Sequence, residues 1–207
     1  DDTQLYVSCK PTELIPTVAR LEACITDMVP NNLLLNAAKS EVMLFGTRQQ
    51  LTKVPEPTTV HIGDSIITAA TSARNLGVWL DSTMSFDVQV ANVCRSCYGH
   101  IKRLARIRRY LTVPSASVLG AAIVASKLDY CNGLLGGITV SNIGRLQRVQ
   151  NCLARTVYQL PRRAHTMPTL ARLHWLPISE RINFKLALLT WKALNLDQPV
   201  YLSQMLS

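Results

Sequence analysis

Arg74-Asn75-Leu76-Gly77-Val78-Trp79-Leu80-Asp81-Ser82-Thr83-Met84-Ser85-Phe86-Asp87-Val88-Gln89-Val90 is the stretch in which this chain changes its hydrophobic period. Arg74 to Leu80 reads as a strand. From Phe86 the apolar residues return every three or four positions as far as Leu111. That spacing predicts one long helix, stopped ahead of Pro114. The expected fold class is therefore α+β: short antiparallel strands plus one helix over residues 1–83, then an all-helical region over residues 84–207.

Toward the N-terminus, Asp1-Asp2 leads into a β-prone run over residues 3–8. Residues 12–28 carry Leu14, Ile15, Val18, Leu21, Cys24, Ile25 and Met28 at helical spacing. Thr12 is the expected N-cap, and Pro16 is tolerated if it lies in the first turn. Residues 33–36 and 41–46 look like strands, and 53–57 like a loop or edge. Val60-His61-Ile62-Gly63-Asp64-Ser65-Ile66-Ile67 predicts a hairpin turning at Gly63-Asp64.

Toward the C-terminus the pattern is helical throughout. Pro114 at the first helical position opens a segment reaching Leu128. Ser141 is the expected cap of a helix to about Gln159, ahead of Pro161. A short helix over 166–173 comes next. Ile178 to Leu194 is the last, with Ile182, Leu186, Leu189 and Ala193 on one face.

Composition narrows the function classes. A hydrophobic content of 48% with 17% charged residues is that of a folded domain. No apolar run approaches the roughly 18 residues of a membrane span, and no secretory leader opens the chain. Six scattered Cys form no compact disulfide framework, so they are read as reduced and intracellular. Charge is lopsided. Residues 1–60 hold 5 basic and 7 acidic side chains, whereas residues 61–207 hold 17 basic and 6 acidic. Thirteen of those 17 are Arg, whose planar fork suits phosphate, so the second part points to a polyanion partner.

Lys102, Arg103, Arg106 and Arg109 share a helical face by i, i+3, i+4 spacing, with Arg108 among them and Ile101, Leu104 and Leu111 opposite. Such a face suits phosphate contact without sequence readout. The competing explanation is that cations near a helix C-terminus favour the helix dipole. Arg145, Arg148, Arg155, Arg162 and Arg163 extend the basic track. Cys94-x-x-Cys97-x-x-His100 has zinc-like spacing. A structural zinc takes ligand pairs from two elements, however, and His165 and His174 are too far apart to complete one. Core cysteines on a helix face are the favoured reading. No Gly-rich phosphate loop and no hydrolase triad is evident.

Five groups of residues then matter for their order. They are Asp1-Asp2; Leu33-Leu34-Leu35-Asn36-Ala37-Ala38-Lys39-Ser40-Glu41-Val42-Met43-Leu44-Phe45-Gly46; Leu76-Gly77-Val78-Trp79-Leu80-Asp81; Ser126-Lys127-Leu128-Asp129-Tyr130-Cys131-Asn132 with Arg145-Leu146-Gln147-Arg148-Val149-Gln150-Asn151; and Leu173-His174-Trp175-Leu176-Pro177. The series resembles the reverse transcriptase of non-LTR (LINE-type) retrotransposons, from the Ala-Asp-Asp motif through the thumb. The resemblance implies that residues 1–83 are the C-terminal part of a polymerase palm and residues 84–207 the thumb and post-thumb region. It further implies that Asp1 and Asp2 ligate catalytic Mg²⁺, that Lys39 sits near the leaving pyrophosphate, and that Leu76 to Asp81 forms a primer grip. The implied partners are an RNA template, a DNA primer and a dNTP, with no membrane; no protein partner is suggested. The implied compartments are nucleus and cytoplasm. The family's metal site also uses an Asp from an upstream strand, so this chain is expected to be inactive alone. The segment over residues 26–32 is shorter than in the family by about one helical turn, which implies a shifted Lys39. The alternative expectation is a non-catalytic nucleic-acid-binding relic of such an element. A further one is a helical interaction module unrelated to polymerases.

Overall fold

The computed structural model describes residues 3–28, 36–55 and 57–206, and the chain divides into two compact units, Asp1–Ser85 and Phe86–Ser207. The fold is α+β and mostly helical, with two small antiparallel hairpins among the described residues.

In the first unit, helix α1 (Leu14–Met28) comes after a 3₁₀ turn at Pro11–Glu13. Pro16 falls in its first turn, where a missing N–H costs nothing. Thr12 is not the cap: the turn begins after Lys10, and Thr12 lies inside it. Leu14, Thr17 and Ile25 are the buried side of α1. Strand β1 (Thr59–Ile62) pairs antiparallel with β2 (Ser65–Thr68), Ile62 opposite Ser65, turning at Gly63-Asp64 as the sequence predicts. Strand β3 (Ser72–Asn75) pairs with β4 (Val78–Asp81) in the same way. The predicted single strand from Arg74 to Leu80 is thus a hairpin, turning at Leu76-Gly77. Both turn residues have positive φ, 44° and 84°, the backbone hand that matches the twist of paired strands.

Two expected strands do not form. Residues 3–8 are exposed and have no ladder partner among the described residues. A strand is stable only when its N–H and C=O groups find a neighbour. Residues 41–46 make one bridge, Met43 to Ala70, and Asn36 instead caps a 3₁₀ turn at Ala37–Lys39 through Ala38 N–H at 3.1 Å. Residues 33–35 lie outside the described residues. A short helix α2 (Arg48–Leu51), not expected, is held by a capping box between Thr47 and Gln50.

The second unit is built around α3 (Asp87–Ile107) and α6 (Val140–Tyr158). The buried positions of α3 are Val90, Cys94, Cys97, Ile101 and Leu104, spaced three or four apart. Those of α6 include Leu146, Val149, Leu153 and Val157. Each fully buried aliphatic side chain contributes about 1.5–3 kcal/mol. The two helices pack side by side and run the same way, because bonds join their starts and their ends. Asn142 Nδ2 donates to Asp87 Oδ1 at 2.7 Å near the starts, and Arg108 Nε donates to Val157 O at 2.7 Å near the ends.

A parallel pair needs a return crossing. It is made by α4 (Val113–Gly120), a π turn (Ala121–Ala125), α5 (Ser126–Asp129) and a 3₁₀ turn (Asn132–Leu135). Thr112 caps α4 through Ser115 N–H, and Pro114 sits at its second position. Thr139, not Ser141, caps α6, accepting from Asn142 N–H. Helices α7 (Met167–Arg172), α8 (Ile178–Leu196) and α9 (Val200–Leu206) complete the unit. On α8 only part of the expected face is covered. Ile182 and Ala193 are buried, while Leu186 and Leu189 remain partly open to solvent.

Candidate nucleic-acid interface

The second unit holds 16 basic side chains and 4 acidic ones. Helix α3 uses one stripe for the core, so its cations are forced to the other side. Lys102, Arg103 and Arg106 are exposed there, and none forms an ion pair among the described residues. Arg109 lies beyond the helix, in a 3₁₀ turn at Arg108–Tyr110, so it does not continue the α-helical face. It is exposed, with its guanidinium 4.7 Å from the ring centroid of the exposed Tyr110. On α6, Arg148 is exposed and Arg145 half-buried, the latter donating to Asn142 Oδ1 at 3.1 Å.

The field of these cations registers on their neighbours. The protonated form of His100 is disfavoured first by burial and then by Arg103 and Lys127. Burial pushes the Cys94 thiol up, and Arg145 and Arg148 pull against that shift. Cys97 is pushed up to about 11, mainly by burial. Both side chains lie on the buried stripe of α3, so Cys94 and Cys97 pack as small core residues.

Arg108 departs from its neighbours. It falls four positions after Leu104, on the buried stripe of α3, and is only 6% exposed. Its Nε reaches Val157 O and its Nη1 reaches Leu111 O at 2.6 Å. It therefore takes the dipole-compensating role, at the end where two parallel helices present their negative termini. The sequence signal was present: the stripe of Ile101 and Leu104 continues to position 108.

Three of the sequence motifs meet in this unit, and their polar residues hold the backbone. Gln147 Oε1 accepts from Ile178 N–H at 2.9 Å, which satisfies a free donor at the start of α8. Gln150, 2% exposed, donates through Nε2 to Leu176 O at 2.8 Å. Arg181 Nε donates to the same carbonyl at 3.1 Å, and its Nη1 meets both carboxylate oxygens of Asp129 at 2.6 Å. These bonds fix Leu173-His174-Trp175-Leu176-Pro177 against α6 and against the end of α5. Beside them lies a pocket of about 290 Å³ lined by Asp129, Asn132, Leu176, Arg181, Phe184 and Lys185, and by His174.

In the first unit, Lys39 is exposed in the 3₁₀ turn, with no ion pair among the described residues. Asp1 and Asp2 lie outside the described residues. Among the described residues no group of three His, Cys, Asp or Glu side chains is placed to hold a metal ion. No helix of the described residues is long and apolar enough to cross a membrane. Comparison with protein-family models, with curated proteins and with solved structures finds no match.

Proposed function

We propose that the helical unit binds the phosphate backbone of a nucleic-acid duplex, as the thumb of an RNA-directed DNA polymerase of the LINE-type retrotransposon class. The observation that carries this reading is the exposed set Lys102, Arg103 and Arg106 on α3, none of them in an ion pair among the described residues, in a unit with four basic groups for each acidic one. Cations held on a helix away from carboxylates are available to phosphates and carry no sequence preference. The order of the sequence motifs supplies the polymerase assignment. On that assignment Asp1 and Asp2 hold Mg²⁺ in the complete enzyme, Lys39 serves the leaving pyrophosphate, and the substrates are an RNA template, a DNA primer and a dNTP. Mg²⁺ would supply charge stabilisation for nucleotidyl transfer.

The test is binding of a labelled RNA–DNA hybrid across a salt series, for the chain and for Arg103→Glu/Arg106→Glu/Arg109→Glu. Salt-dependent binding lost in the triple variant supports the reading. Binding that ignores the triple variant, or none at low salt, defeats it. Primer extension by a protein completed upstream separates a working polymerase from a relic that only binds.

A further inference from the structure

Glycine inside an α-helix costs more stability than any residue except proline, so each one calls for a reason. At Gly120 of α4 the reason is packing: an added Cβ would meet Leu153 Cδ1 at 3.1 Å. Gly99 of α3 and Gly144 of α6 have no such reason. A Cβ on either would meet no neighbouring heavy atom within 4 Å among the described residues, and neither has a positive φ. Both lie off the buried stripes of their helices.

The same partner stands over each. Helical side chains lean back over the preceding turn, so a residue covers the position four before it. Arg103 Nε donates to Gly99 O at 3.4 Å, and Arg148 Nε donates to Gly144 O at 3.1 Å. Both Arg are exposed, and neither forms an ion pair among the described residues. Each glycine thus leaves bare backbone beside a guanidinium anchored through Nε. The two Nη groups remain as a forked donor that suits phosphate.

The two sites belong to one packed pair of helices. Burial raises the Tyr98 hydroxyl, and Arg148 pulls against that rise, so its charge reaches the residue before Gly99. Counted from the bonded pair Asp87 and Asn142, Gly99 lies twelve residues on and Gly144 two. At 1.5 Å per residue the stagger is roughly 15 Å along the pair. One small anion does not span that, whereas a strand with a phosphate about every 3.4 Å of its axis does.

We infer that a nucleic-acid strand runs across α3 and α6 and approaches the main chain at Gly99 and Gly144, its phosphates taken by Arg103 and Arg148. Glycine lets the strand come close, and a Cβ holds it off. The ligand class rests on the nucleic-acid reading above, and the binding surface extends from the basic face of α3 onto α6.

The test sets stability against affinity in the full chain. Gly99→Ala and Gly144→Ala should each raise the thermal midpoint, because alanine favours the helix and its Cβ has room. Each should nevertheless weaken binding of the RNA–DNA hybrid. Gly99→Leu and Gly144→Leu should weaken it further, by about 10-fold, the loss of one charge-assisted bond. Arg148→Glu, with α3 unaltered, should weaken the hybrid at least as much. A glycine of purely structural use would move stability and affinity together. Hybrid affinity unchanged in both alanine and both leucine variants overturns the inference, even where Arg103→Glu/Arg106→Glu/Arg109→Glu abolishes binding. Failure of the unaltered chain to bind the hybrid defeats the backbone reading, and this inference with it.

Discussion

Arg108 Nε donates to Val157 O at 2.7 Å, so the end of α3 is tied to the end of a helix 49 residues further along the chain. The bond joins two helices that run parallel, and their negative ends therefore lie together. A single guanidinium answers two carbonyls there, Val157 and Leu111, and no carboxylate takes part in either bond. Replacing Arg108 with Met keeps its bulk but leaves both acceptors without a donor. The expected cost is about 3 kcal/mol, from two charge-assisted hydrogen bonds. Urea unfolding would show it as a lower midpoint. The same variant should leave the salt dependence of hybrid binding unchanged, because Arg108 is not at the surface.

The basic face is expected to behave in the opposite way. Reversing Arg103, Arg106 and Arg109 should leave the unfolding midpoint within about 0.5 kcal/mol, as exposed substitutions do. The slope of log affinity against log salt should fall in magnitude by about 0.9 for each phosphate contact removed, or roughly 3 in all. An unchanged slope would mean that the nucleic acid, if bound, is held elsewhere.

Glu22 and His61 give the first unit a pH dependence of known sign. Glu22 Oε1 accepts from the His61 backbone N–H at 2.7 Å and from its Nδ1 at 2.8 Å. The backbone bond, then the side-chain bond, holds the Glu22 carboxyl below its ordinary value of 4.5. A carboxyl depressed by folding contributes stability that is present above 4.5 and is lost as pH falls through the folded value. Protection of the His61 amide from hydrogen exchange should therefore decline as pH falls below 4.5. Glu22→Gln should flatten that decline.

Leu76 occupies a turn position with φ of 44° and is 76% exposed. A left-handed backbone costs a branched residue about 1–2 kcal/mol, and little burial offsets it here. Leu76→Asn, a residue that tolerates this backbone, should stabilise the β3–β4 hairpin by about 1 kcal/mol. Thermal unfolding would register a rise, while Gly77→Ala, at φ 84°, should lower the transition.

The helices were legible because their signals are local. Pro114 and Pro161, with apolar residues three and four apart, placed α1, α3, α4, α6 and α8 within a few residues. Caps were less legible: Thr12 and Ser141 are good capping residues, but Lys10 and Thr139 hold those positions. At α6 it is Thr139 whose hydroxyl meets an unpaired N–H, that of Asn142, whereas the Lys10 side chain makes no cap bond, and which residue stands at the cap depends on the angle at which the chain enters the helix. The strands expected at 3–8 and 41–46 failed for a different reason. Their composition was suitable, but a ladder needs a partner, and β-propensity does not provide one.

The order of the long helices in the second unit, the hairpin at Gly63-Asp64 and the concentration of positive charge after residue 85 could all be read from the chain itself, since each depends on residues near one another in it. Which cation is buried and which are free is a matter of packing. The fold places Arg108 in the core and leaves Lys102, Arg103 and Arg106 outside, although all four lie within seven positions. It also brings Asp129, Asn132 and Lys185 to one pocket from segments as much as 56 residues apart, and joins Gln147 and Gln150 to the turn before α8. Packing of α8 against α6 and against the 3₁₀ turn at Asn132–Leu135 brings those distant segments together. Periodicity shows that a helix has a buried face, but not which other helix will cover it.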